Sequence, residues 1–269
     1  MTTEVTARPD VVAGRTGFVQ DTATVFVREF QLVLRDPFSL IFSLLQPLVF
    51  LGLFAPLLAG SLSADQLGGE SPLTWFLPGV VVMITMFGTS MTGSNLQYEI
   101  MTGAFERILA PPVSRTALMV GRALKELTPL VVQAAIITLV TIPFGFVLHP
   151  LHVVVGLLML GIFGVGIGAL SYALAIAARK TEWIFWAVQQ SLLFPLLILS
   201  GMMLPLETGP TWMQVASRFN PLTYVVDAER VLFAGTLASP AVAWGFVAAF
   251  LTAALGLWVG IRAIRTATI

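Results

Sequence analysis

The sequence predicts an all-α integral membrane protein, with six transmembrane helices preceded by an N-terminal amphipathic interfacial helix. Three observations carry this reading. Of 269 residues 57% are hydrophobic and only 10% charged, whereas a soluble domain needs about 25% charged residues to clothe its surface. Six apolar stretches each reach the roughly 20 residues that a spanning helix requires. Basic residues gather in alternate connections between those stretches, the asymmetry that sets membrane topology. The whole-chain mean hydropathy of +0.91 agrees.

Residues 1–21 are small and polar and read as a flexible cytoplasmic tail, with no apolar core of signal-peptide type. A single transmembrane domain then occupies 22–269. Its first element, 22–36, places Phe26, Phe30, Val33 and Leu34 at helical spacing, with Arg28, Glu29, Gln31 and Arg35 on other faces. That pattern suits a helix lying in the headgroup plane, or one packed on protein through the same stripe.

The spans follow at about 38–60, 73–92, 127–148, 151–178, 183–204 and 241–261. In hydrocarbon every backbone group must be satisfied within its own segment, so each is expected to be helical. The turn His149-Pro150 separates the third span from the fourth, which predicts a tight helical hairpin. Two longer connections remain, a cytoplasmic excursion at 97–126 and an outward segment at 206–240 that is expected to be partly helical and partly re-entrant.

Of the 14 basic residues, only Arg218 and Arg230 lie on the side opposite the others, so both termini are expected in the cytoplasm. The outward connection before the second span holds two acids, Asp65 and Glu70, and no base.

Several chemistries are excluded. Formal net charge is zero, and no basic stripe or aromatic platform for nucleic acid is present. Without cysteine there are no disulfides, thiol nucleophiles or thiolate metal sites. His149 and His152 lack acidic neighbours in sequence, and no metal site is expected. The span interiors contain no ionisable residue, which disfavours coupling to protons or sodium through a buried acid. Neither a P-loop nor HExxH occurs, and the Gly88–Gly93 stretch, GTSMTG, lacks nucleophile-elbow spacing. Gly164 and Gly168 make a GxxxG ridge suited to close helix packing. Pro195, Ser200, Gly201 and Pro205 punctuate the fifth span and offer it places to bend.

The excursion at 97–126 is the polar interruption in this apolar chain. Gly103 punctuates it, Ala104 to Leu109 can form a short helix, and Pro111-Pro112 stops it because proline lacks an N–H and restricts its predecessor. Ser114 can cap a following helix through Met119, Arg122 and Leu124 into the third span. The short helix is expected to expose Phe105, Ile108 and Leu109 beside Glu106 and Arg107, as a docking knob would.

At these positions the sequence resembles the permease subunits of type-2 ABC exporters, a superfamily that includes daunorubicin-type drug-resistance permeases and polysaccharide export permeases. Gly103, Glu106, Leu109, Pro112, Ser114, Arg115, Leu118, Gly121 and Arg122 fill the pattern GxxExxLxxPxSRxxLxxGR. A second block, Leu199 to Arg230, matches in order: a Ser-Gly at the end of the fifth span, a proline, an amphipathic stretch, then Asn-Pro-Leu-Thr-Tyr. The resemblance covers about residue 22 to the end of the sequence.

The resemblance implies the type-2 exporter permease fold in a bacterial cell (inner) membrane, with the excursion as a coupling helix seated on a separate ABC ATPase. Docking would involve Gly103, Phe105, Glu106, Arg107, Ile108, Leu109, Pro112, Ser114 and Arg115. ATP and Mg would be bound by that ATPase, with no cofactor and no catalytic residue in this chain. It further implies a second permease copy, a homodimer in a two-plus-two complex, with a translocation path along the second and fifth spans for which Phe87, Asn95, Phe194, Leu197, Gly201 and Met202 are candidates. The Leu-, Val-, Phe- and Met-rich spans suit a hydrophobic drug or lipid as substrate. A polysaccharide or glycolipid is the alternative by the same mechanism, and an ion-driven secondary transporter is the alternative from another class.

Overall fold

The computed structural model describes residues 18–35, 37–61, 71–105, 115–125 and 127–266. Every regular element among them is helical. The helices are α1 (Phe18–Arg35), α2 (Pro37–Ser61), α3 (Pro72–Met101), α4 (Arg115–Lys125), α5 (Leu127–Thr141), α6 (Pro150–Ala177), α7 (Glu182–Leu199), α8 (Thr211–Ser217), α9 (Pro221–Phe233) and α10 (Pro240–Thr266). Short 3₁₀ turns lie at Ile142–Phe144 and Leu206–Thr208.

Helix α1 begins earlier than expected and lays Asp21, Thr22 and Val25 against α4. Gly121 makes this possible, since a Cβ there would sit 2.9 Å from the Thr22 carbonyl oxygen and the Val25 side chain. Of the expected stripe, Phe26 and Phe30 are half-buried, so the face packed on α4 is set by Asp21, Thr22 and Val25 instead. In α2, Leu44, Leu51 and Leu58 recur every seventh residue and are buried, while Leu45, Val49, Leu53 and Leu57 stay exposed. Only one stripe of this wholly apolar helix meets the bundle, chiefly α3, where Phe54 stacks on Phe76 at 5.7 Å between ring centres.

Helix α3 starts at a well-formed cap: the Thr74 N–H donates to Ser71 Oγ at 3.1 Å and Pro72 occupies the first turn. Its 30 residues span about 45 Å at 1.5 Å per residue, more than a hydrocarbon core of about 30 Å. It ends at Met101. There Gly103, at φ +69°, turns the chain with a left-handed backbone that glycine adopts without strain.

Helices α4 and α5 follow one another almost directly, and 116–144 together are apolar enough to span. Helix α5 ends at Thr141, short of the expected 148, and a 3₁₀ turn containing Pro143 carries the chain toward α6. The Gln133 amide ties α5 to α2 by donating to Ser43 Oγ at 2.6 Å. Helix α6 is the spine of the molecule, packed along α10 on one side and α3 on another. Gly166 and Gly256 bring the α6 and α10 backbones into direct contact, the close approach that small residues permit in lipid.

The fifth span was expected to reach 204 but α7 stops at Leu199. Ser200 Oγ donates to the Leu197 carbonyl at 2.7 Å, and Gly201 follows at φ +72°, so the chain leaves the helix axis before the apolar run ends. The outward segment is more helical than expected, holding α8 and α9. Asn220 caps α9 by accepting from the Leu222 N–H at 3.0 Å and donates to the Leu196 carbonyl at 2.8 Å, fastening α9 to α7.

Five described helices or helix pairs are long and apolar enough to cross a membrane, and α2 adds a shorter apolar helix at Ser43–Leu58. The main core lies among α3, α6, α9 and α10, around Phe76, Val80, Met83, Leu160, Phe163, Val226 and Phe233. A second cluster sits at the end where α3 stops and α4 starts.

Candidate functional site

Three places along the α3 axis carry polar or aromatic side chains in specific arrangements. The first is the cluster around the 97–126 excursion. Arg122 on α4 donates to Glu99 on α3 at 2.7 Å, and the guanidinium also lies 6.0 Å from the Tyr172 ring centre on α6. Arg122 is only 4% exposed and Glu99 25%. Beside them the Gln97 amide donates to the Ala178 carbonyl at the end of α6, at 3.2 Å. Below the pair Val25, Leu96, Phe105, Leu118, Met119, Tyr172, Phe185 and Ile264 close an apolar cluster. Helices α1, α3, α4, α6, α7 and α10 thus meet at one point.

Phe105 was expected to be exposed for docking, but it is 8% exposed and belongs to this cluster. It follows the turn at Gly103 directly and shares the cluster with Leu96, Leu118 and Met119. The expected docking residues Glu106, Arg107, Ile108, Leu109, Pro112 and Ser114 lie outside the described residues, and Arg115 opens α4. Both ends of the excursion, Gly103–Phe105 and α4, are therefore anchored in a single packed unit.

The second place is the face shared by α3 and α7. Phe87 and Phe194 meet edge to face with ring centres 6.3 Å apart, and Phe194 remains 50% exposed. Asn95 is exposed two turns further along α3. Leu197 and Met202, expected on the same path, instead point into the core at 2% and 0% exposure. The Met202 carbonyl lies so close to Gly79 that a Cβ there would sit 2.7 Å from it. Of the path candidates, the structure brings Phe87 and Phe194 together, leaves Asn95 on the surface, and assigns Leu197 and Met202 to packing.

The third place is the opposite end of α3, where the 206–240 segment packs. Arg230 of α9 lies 3.8 Å over the Trp75 ring at the start of α3 and donates to the Gly201 carbonyl at 2.7 Å. Asp227 is its acidic neighbour at 3.8 Å. Burial lowers the Arg230 guanidinium to about 10, opposed by Asp227 and Glu207. Burial likewise raises the Asp227 carboxyl, with Arg230 opposing. These groups, with Ser200, Gln214, Arg218 and Tyr224, wall a polar cavity of about 300 Å³. One residue before Arg230, Glu229 is 0% exposed, neither carboxyl oxygen has a hydrogen-bond partner, and burial pushes the group up to about 8. It lies against the bare backbone of Gly156 on α6.

Sequence reasoning missed the Glu99–Arg122 pair, the Arg230 clasp and the burial of Glu229. Arg122 stood in the loop motif, which was the available signal. Glu229 gave none, because its helix reads as an outward amphipathic stretch.

A family described as ABC-2 type transporter matches residues 20–234. The chain is 32% identical over 202 residues to a daunorubicin resistance ABC transporter permease protein, DrrB1, of Streptomyces coeruleorubidus, covering 74% of this chain and 70% of that protein. It is 29% identical to a putative transport permease, ycf38, of Cyanophora paradoxa, covering 80% and 75% of the two chains. Similarity to a probable multidrug ABC transporter permease, YbhR, of Escherichia coli K12 is 25% over 59% of this chain and 44% of that one.

Proposed function

The chain belongs to the ABC-2 type transporter family, and from that premise we propose that it is the membrane permease of an ATP-driven exporter for hydrophobic compounds. A separate ABC ATPase docks on the 97–126 excursion, binds ATP and Mg, and supplies the energy mechanically. Two permease copies form the working unit, both termini lie in the cytoplasm, and the membrane is the bacterial inner membrane. This chain breaks no bond of ATP.

The observation that carries this reading is the family match extending through the excursion and the outward segment. The anchoring of the excursion supports the mechanical part. An ATPase pushing on residues 106–114 loads Gly103–Phe105 and α4 together. Glu99 and Arg122 then pass that load into α3 and α6. Because interiors are packed like solids, such a unit moves as a body rather than deforming. Helix α3 runs unbroken from this cluster to Trp75, so a tilt at one end arrives at the Arg230 clasp at the other. Drug-resistance naming among the relatives and the apolar span surfaces favour a hydrophobic substrate.

The test is to purify the chain from its native membrane with whatever soluble protein accompanies it and to measure ATP hydrolysis. An ATPase is expected to co-purify, and Glu106→Arg is expected to abolish its stimulation by the permease without loss of inserted chain. A permease that comes alone and transports on an ion gradient overturns the proposal.

A further inference from the structure

Between α3, α6 and α7 lies a groove of about 240 Å³ whose walls include Met86 and Ser90, Ser171 and Leu174, and Gln189 and Leu193. It contains no charged residue. Ser171 is already committed, donating to the Ser90 carbonyl and accepting from the Gly93 N–H at 3.0 Å. Gln189 is 6% exposed, yet neither its amide nitrogen nor its amide oxygen has a partner. A buried amide with a donor and an acceptor both unused is costly. Both atoms are covered, so a ligand in the adjoining groove reaches them when the side chain turns toward it, and a buried orphan of this kind calls for such a partner.

We propose, on the exporter reading above, that this groove holds the neutral hydrogen-bonding part of the transported amphiphile, a carbonyl or hydroxyl on an apolar frame. Its chemistry selects the occupant. A phospholipid headgroup brings a phosphate, and no cation lines the groove. A bare acyl chain leaves the amide unpartnered. At about 240 Å³ the groove is smaller than the roughly 300 Å³ at which whole-ligand pockets begin, so it grips part of a larger molecule. Leu192, 59% exposed, stands at its edge and opens it sideways.

The groove is distinct from the Phe87–Phe194 face. Residues 188, 189, 192, 193 and 196 of α7 line it, whereas Phe194 projects from another side of the helix. Gln189 stands seven residues beyond Glu182, where α7 begins, hence about 10 Å along the axis. With that end cytoplasmic, the groove opens to the inner leaflet, where an apolar compound made inside the cell accumulates.

The absence of cysteine permits a clean test. A Leu174→Cys chain, purified at full length in phosphatidylcholine nanodiscs, is reacted with N-ethylmaleimide in the presence of androstanedione or of its parent hydrocarbon androstane. The diketone is expected to slow labelling roughly three- to tenfold more than the hydrocarbon, the factor one neutral hydrogen bond contributes. Gln189→Leu and Gln189→Met, each combined with the reporter, are both expected to erase that difference while melting no lower than the parent. Equal protection by the two steroids, or a difference that survives in both variants, overturns the proposal. So does lysophosphatidylcholine protecting as well as the diketone, which would make the site a lipid site. No ATPase is needed, so loss of the exporter reading in the co-purification experiment and loss of this site are separately visible.

Discussion

Arg230 and Gly201 are 29 residues apart, yet the guanidinium of one donates to the carbonyl of the other at 2.7 Å while stacking 3.8 Å over Trp75. One side chain of α9 thereby fastens the end of α7 to the start of α3. The outward ends of the two helices proposed to bound the path are held by a single planar cation.

Removing that cation is expected to loosen the outward end. Arg230→Ala deletes a charged hydrogen bond, of the class contributing about 1.5–3 kcal/mol, together with the ring contact. Arg230→Lys should recover little, since an ammonium cannot stack as a plane and bond at the same time. Thermal unfolding of the purified chain tests this, and a Lys variant as stable as the parent removes the stacking argument.

The Glu99–Arg122 pair should behave as a buried ion pair. Either single reversal, Glu99→Arg or Arg122→Glu, leaves an uncompensated charge and is expected to cost about 3–5 kcal/mol, less if Glu99, 25% exposed, stays hydrated. The double reversal should restore part of the loss. A double-mutant cycle on stability and on ATPase stimulation measures it. Additive effects would mean that the two groups do not act as one link.

Phe105→Ala is expected to destabilise the cluster by about 3–5 kcal/mol, as truncation of a buried aromatic ring does. It should lower the yield of folded chain, whereas Glu106→Arg should not. Equal yields would place the Phe105 ring outside the core.

Glu229 predicts a pH dependence of definite sign. Its folded value, about 8, lies above the ordinary 4.5, so the folded state binds the extra proton. Stability is fully present below about 4.5 and is lost as pH rises toward 8, by at most about 1.4 kcal/mol per unit. Glu229→Gln mimics the protonated acid and should flatten the profile between pH 5 and 8. A parent profile already flat would show that the carboxyl has a charge partner or water in solution.

Gly201→Leu should be harmful on two grounds. Its φ of +72° is strained for any side chain, and a Cβ would meet Leu206 at 3.0 Å. The left-handed conformation alone costs about 1–2 kcal/mol. Lower melting with slower efflux is the expected pair of results, and unchanged efflux would exclude this turn from the transport cycle.

The sequence by itself determined whatever depends on neighbours along the chain. Apolar runs of spanning length became α2, α3, α5, α6, α7 and α10, because a backbone in lipid satisfies its hydrogen bonds locally. Ser71-Pro72 and Asn220-Pro221 started helices at the residues where capping chemistry puts them. The loop pattern from Gly103 to Arg122 marked the excursion. Tertiary structure alone decided which side chains face inward from elements whose local pattern is ambiguous. Glu229 is buried because α6 lies against it at Gly156, and Phe105 because it joins the cluster of Leu96, Leu118 and Met119. Gln189 stands beside Ser171, whose hydroxyl is already taken by the Ser90 carbonyl and the Gly93 N–H. These outcomes rest on contacts between different elements, and no local propensity encodes them.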